Sequence, residues 1–208
     1  MAARTLILEQ AEHLIHLRGF HSTSLDDIAK NCGMAKANLL HHYGSKEELG
    51  LAVLDAKITD YQKRRVDPLC ERKDPVESVG RLFDEAARFF DGNGCKAGCF
   101  VGNIALEMSD INETFRRRAS VFFSEWSKGM AACLSRAQEE GAFGPELDPK
   151  AAADSIISLY EGASMLARAN RDASVFKRVG KTARSILEQH KSRHRRTNIM
   201  GPKTPCGC

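Results

Sequence analysis

Apolar residues recur three and four positions apart along almost the whole chain, and the strict alternation of a half-buried strand is nearly absent. The first stripe, Ile7, Ala11, Leu14 and Ile15, predicts a helix over 3–18 that Gly19 ends. Ser24 followed by Asp27 reads as an N-cap with an acid three positions on, opening a short helix to about residue 32. Gly33 turns the chain into a third short helix over 36–43, and Ser45 with Glu48 repeats the capping pattern ahead of a longer helix through Leu49, Val53 and Ala56. Beyond Pro68 and Pro75, helical stripes occupy 75–90, 100–109, 112–140, 149–170 and 173–190, with the glycine-rich DGNGCKAGC of 91–99 as a connector. The period is lost from Ser192, where disorder is expected. The predicted fold is all-α with about nine helices: a head of short helices at 1–48, a helical body at 49–191 and a basic tail at 192–208.

The last two stripes are rich in Ala, Gly and Ser, which lets helices approach closely. A four-helix bundle made by two copies, two helices from each, is the expected use of them.

Composition narrows the classes. A hydrophobic share of 42% with 28% charged residues fits a globular protein, and no apolar run of about 18 residues is present to span a bilayer. The N-terminus carries Glu9 and Glu12 and lacks the apolar core and cleavage site of a signal peptide, so a cytoplasmic protein is expected. Seven scattered cysteines do not make a disulfide framework and suit reduced thiols. The net charge of +4 resides in the tail, where five Lys/Arg and no acid follow residue 190; residues 1–50 hold five Lys/Arg against six Asp/Glu. Binding to a nucleic acid must therefore rest on local placement.

Short helix, glycine turn, short helix over 25–43 is a helix-turn-helix layout, whose second helix enters the major groove leading with its N-terminal residues. Lys36, Ala37 and Asn38 hold those positions. Lys36 suits a phosphate or guanine, Asn38 an adenine edge, and Ala37 leaves room beside a thymine methyl. Thr23 and Ser24 at the preceding helix start, and Lys46 at the next, suit phosphates. His41 and His42 point about 100° apart as helical neighbours and cannot chelate together, so no metal site is expected. His41 suits a phosphate contact, and Tyr43 is expected mostly in the core with its hydroxyl reaching out toward the DNA, beside His42. Residues 18–55, through Gly19-Phe20, Thr23-Ser24, Ile28-Ala29, Gly33, Lys36 and the Tyr43-Gly44-Ser45-Lys46-Glu47 run, resemble the DNA-binding domain of the TetR family of bacterial transcriptional repressors. The resemblance implies a homodimer on a palindromic double-stranded DNA operator, with a ligand-binding body. The family usually has an aromatic residue where this chain has Leu40, which shifts backbone contact toward the histidines and Lys46; His42 and Tyr43 stand where it often has His and Phe.

In the body, GCKAGCFVGNIALEMSD (94–110) resembles a branch of the family that includes the NemR and AcuR repressors, in some of which the cysteine matching Cys99 reacts with the inducer. Physics agrees in part: Cys99 falls at a predicted helix N-terminus near Lys96, a setting that favours thiolate. The alternatives for Cys99 are a buried structural thiol or contact with a non-covalent ligand. Cys95 could resolve an oxidised Cys99 or lie exposed in its loop, and Arg168 stands near where relatives can have a lysine. Phe83, Phe90, Phe100, Phe122, Trp126 and Tyr160, with Met108 and Met165, are candidate walls for a small-molecule inducer of unknown identity. No cofactor is expected. Two other functions are carried as alternatives: an enzyme with Cys99 as nucleophile, for which no histidine is expected nearby, and a helical interaction protein that never touches DNA.

Overall fold

The computed structural model describes residues 2–66 and 74–192. The expected disorder of the tail therefore falls on residues outside that range, as do Cys70, Cys206 and Cys208. Among the described residues the fold is nine α-helices and no strand. They are α1 (Ala2–Arg18), α2 (Leu25–Asn31), α3 (Lys36–His42), α4 (Lys46–Tyr61), α5 (Pro75–Gly92), α6 (Phe100–Met108), α7 (Glu113–Glu139), α8 (Pro149–Asn170) and α9 (Ser174–Gln189). A five-residue π-helical segment, Gln62–Val66, continues α4.

Local chemistry sets these ends. Ser24 Oγ accepts from Asp27 N (3.0 Å) while the Asp27 carboxylate accepts from Ser24 N (3.1 Å), a complete capping box on α2. At its other end Gly33 adopts φ +63°, and the N–H groups of Gly33 and Met34 donate to the carbonyls of Lys30 and Ala29. That is a Schellman closure, whose left-handed residue favours glycine. Ser45 caps α4 through Glu48 N, but the Glu48 carboxylate turns to Gly44 N instead of completing the box.

The head packs α1 on α2 and α4, and α4 runs on to touch α6 and α7. In the body α5 lies along α9, α9 on α8 and α8 on α7. One apolar cluster runs from Ile7 to Leu187, so head and body share a continuous core. The helix α4 crosses the expected boundary at 48/49 without a break. Its Gly50 is where the units meet: a Cβ there would fall 2.3 Å from Phe20 Cε2 and 3.1 Å from Phe115 Cζ. Those two rings already pack at 5.1 Å between centroids.

Adding a methyl at that junction forces Phe20 off its seat. Gly50→Ala is expected to cost about 1–3 kcal/mol, as overpacking does. A thermal melt should then show a midpoint lower by roughly 3–10 °C for a chain of this size; an unchanged midpoint would mean the junction is loose.

Candidate functional site

The outward face of the head is α3. Leu39 (0% exposed) and Tyr43 (3%) anchor it, while Lys36, Ala37, Asn38 and His41 are exposed and His42 half-buried. Lys36 Nζ lies 2.8 Å from Asp26 Oδ2 in an ion pair open to water. Such a pair is worth only about 0–1 kcal/mol, so the ammonium is readily surrendered to a stronger anion. The His41 and His42 rings meet edge to face at 5.9 Å.

Three residues expected at the DNA are engaged by the protein itself. Thr23 is fully buried, its hydroxyl donating to Gly19 O (2.8 Å) and its N–H to Phe20 O, so it shapes the turn and presents no hydroxyl outward. Tyr43 is core as expected, but its hydroxyl does not reach out; it is buried without a partner, and the Arg4 guanidinium lies over the ring. Lys46 sits 4.6 Å over the Phe20 ring and donates to His21 O (3.2 Å). Burial lowers its pKa, against the pull of the Glu107 carboxylate. Ser24 keeps an exposed hydroxyl, engaged with Asp27.

Sequence inspection gave no sign of the junction beneath. The Glu107 carboxylate, on α6, accepts from both Phe20 N (2.8 Å) and His21 N (2.7 Å). Gly19 makes this approach possible, for a Cβ there would meet Glu107 Oε2 at 2.9 Å. A second tie joins α1 to the loop before α6: His16 Nε2 donates to Gly98 O (2.9 Å), and its ring abuts Phe100 edge to face at 5.3 Å. Asn112 adds a bond to Glu47. These partners lie 65 to 87 residues apart, beyond any local pattern.

Cys99 is the N-cap of α6, its Sγ accepting from Gly102 N (3.4 Å) and its N–H donating to Ser164 Oγ (3.0 Å). It is 3% exposed. The expectation that no histidine lies near Cys99 fails, because His16 holds the residues on both sides of it; the Nε2 proton is spent on the Gly98 carbonyl. Cys95 is buried and not an exposed loop thiol, and burial, with Asp91 and Asp172, pushes its pKa up, away from easy thiolate formation. Arg168 donates to Asn103 Oδ1. Cys32, Cys95 and Cys99 are not in a disulfide, whereas Cys133 is disulfide-bonded, against the expectation of reduced thiols.

Four of the six aromatic candidates meet directly, and Phe90 joins Tyr160 through Phe176. Trp126 packs on Phe122 (5.8 Å) and Tyr160 (5.3 Å), and Tyr160 on Phe83 (5.7 Å). Phe100 lies apart at the His16 junction, but its N–H donates to the hydroxyl of Tyr61, whose ring packs on Phe122. Met165 is no wall of this cluster; it is 62% exposed, with Leu166 beside it on the open face of α8.

A helix-turn-helix head carried by an all-helical body with an aromatic interior defines a class of DNA-binding regulator. The family model for bacterial regulatory proteins of the tetR family matches residues 7–53, and that for the C-terminal domain of LmrA/YxaF-like transcriptional regulators matches 75–182. The chain belongs to the TetR family and is a transcriptional regulator. The transcriptional regulator AcuR of Cereibacter sphaeroides is 30% identical over 173 residues, 81% of this chain and 77% of that protein. The transcriptional repressor DhaR of Mycobacterium sp. (strain GP1) is 26% identical over 81% of this chain and 84% of its own length. A TetR regulator from Chloroflexus aurantiacus superposes with a TM-score of 0.82 at 27% identity, over 91% of this chain and 96% of that one.

The His16 tie carries a pH dependence. Burial first, then Lys57 and Arg168, lower its pKa below the ordinary 6.5, with the Gly98 carbonyl and Glu12 opposing. The folded protein therefore binds this proton less readily than the unfolded chain, and its stability rises with pH between the two pKa values. The contribution is whole above about pH 6.5 and drains as pH falls through the lowered folded value. His16→Gln keeps a donor for Gly98 and cannot titrate, so urea unfolding at about pH 7.5 and about pH 5.5 should show a smaller acid loss than wild type. Equal losses would remove His16 from the account.

Proposed function

We propose that the chain is a homodimeric, cytoplasmic repressor that binds a palindromic operator and leaves it when a small molecule occupies the body. The supporting observation is the division of α3: the residues that must anchor are buried, and Lys36, Ala37, Asn38 and His41 are exposed to water. Asn38 reads an adenine edge, Ala37 admits the thymine methyl, and Lys36 and His41 take phosphates or guanine, with Ser24 at the flank. His42 borders the same surface, and Lys46 reaches DNA only from its tether on His21. We assign the head to 1–48 and the body to 49–191. Dimerisation uses α8 and α9, where Leu159, Leu166, Val179 and Ile186 line an open apolar face. That arrangement sets two α3 helices about one helical turn of DNA apart. No catalytic role is assigned to Cys99.

Release follows from the ties. A ligand that moves α6 moves Glu107 and Gly98, and with them the Phe20–His21 turn and α1. Because two half-sites must fit together, a small rotation of each head lowers affinity for the pair. Cys99 heads the same helix, so adding a small electrophile to its sulfur would break the Gly102 bond and disturb α6 directly.

A gel-shift with DNA upstream of the protein's own gene tests the regulator. Asn38→Ala should weaken binding about 5- to 150-fold and relax one base preference. Lys36→Ala should weaken all sequences alike and flatten the salt dependence. Retention of full affinity by both variants would sink the assignment. For the thiol, Cys99→Ser should lose operator release by N-ethylmaleimide while keeping DNA affinity; an identical response in both proteins would leave sensing to the non-covalent pocket.

A further inference from the structure

Among the described residues more than one buried polar atom of the body, on Asn93 as on Trp126, has no hydrogen-bond partner, and the one on Trp126 lies among aromatic rings. The indole Nε1 of Trp126, in a side chain 1% exposed, is buried and donates to nothing. Native proteins rarely leave a buried donor unmet, because its bond to water was given up on folding. Around it the surroundings are aromatic: Phe122 and Tyr160 pack on the indole, Phe83 on Tyr160, and Tyr61 on Phe122. Neither Phe122 nor Tyr160 nor Phe83 carries a charge. A cation, Lys57, lies over Tyr61, and its ammonium is paired with Glu12 at 2.6 Å.

We infer that Trp126 is the specificity-determining donor of the inducer site, and that the inducer is a small, uncharged, largely apolar molecule bearing one acceptor oxygen, such as a ketone or ether. This rests on the ligand-responsive reading above. The side chains of Phe83, Phe122, Trp126 and Tyr160 offer an anion no opposite charge, and a pure hydrocarbon would leave the indole N–H unmet. The acceptor gives orientation, and the rings give flat apolar contact.

The same rings lead out to the head. Phe122 touches Tyr61, whose hydroxyl accepts from Phe100 N at the first residue of α6, and Glu107 near the end of that helix holds the Phe20 and His21 amides. A ligand at Trp126 displaces Phe122 or Tyr160 and so bears on α6 through Tyr61.

The chain has a single tryptophan, so one indole N–H signal reports the site in a nitrogen-15 NMR spectrum of the whole protein. Matched probes without electrophilic reactivity are cyclohexanone against methylenecyclohexane and acetophenone against cumene. Each ketone should move the indole proton downfield on binding and bind about fivefold tighter than its hydrocarbon partner, and Trp126→Phe should abolish that preference. An indole signal left in place at the solubility limit of both ketones overturns the proposal, as does a ketone preference that persists in Trp126→Phe. Should the variant not fold, the wild-type shift decides alone. Operator binding is measured separately by gel-shift, so failure to bind DNA refutes the regulator reading while the indole result still judges the site.

Discussion

The structure depends on one carboxylate. Glu107 takes two adjacent amides, Phe20 and His21, at the turn where the head's first helix has ended and its second has not begun. A turn leaves such amides without helical partners, and a charged acceptor makes stronger bonds with them than a neutral one would. Placing that acceptor on a body helix means the head's conformation is satisfied by the body and not by itself. Lys46 completes the arrangement, its ammonium on the His21 carbonyl and the Phe20 ring, near the Glu107 charge.

Around this point the molecule divides by the range of its interactions. The helices themselves are short-range objects, and they were legible in the sequence. Ser24 with Asp27, Ser45 with Glu48, Gly33 and Gly19 mark their ends through bonds spanning three to five residues. The stripe of Ile7, Ala11, Leu14 and Ile15 gives the buried face of α1 correctly. The exposed set on α3 was equally open to inspection, because a helix anchored by Leu39 and Tyr43 must present Lys36, Ala37 and Asn38 elsewhere.

What escaped inspection was long-range. Glu107 looks like any acid on an amphipathic helix, and His16 like a surface residue of α1, until folding brings each to partners more than eighty positions away. Thr23 went astray for the reverse reason. Its side chain suits a phosphate as well as it suits a carbonyl, and only tertiary placement decides which it meets. The aromatic set was recognised as residue types, but its division was not, since Phe100 belongs with His16 while Phe122, Trp126 and Tyr160 form a separate interior.

The passage of α4 through Gly50 has a bearing on engineering. Regulators of this architecture invite the exchange of heads, so that one sensor drives another operator. Here the seam is a fitted joint in which Phe20 from the head lies within van der Waals reach of a bare Cα, against Phe115 from the body. A transplanted head would arrive with its own ring and turn, and would seat only on a body supplying a matching gap and a carboxylate at the place of Glu107. The exchangeable unit is therefore a discontinuous set, Gly19, Phe20, Gly50, Glu107 and Phe115, and a graft cut at any single point in the chain would divide it.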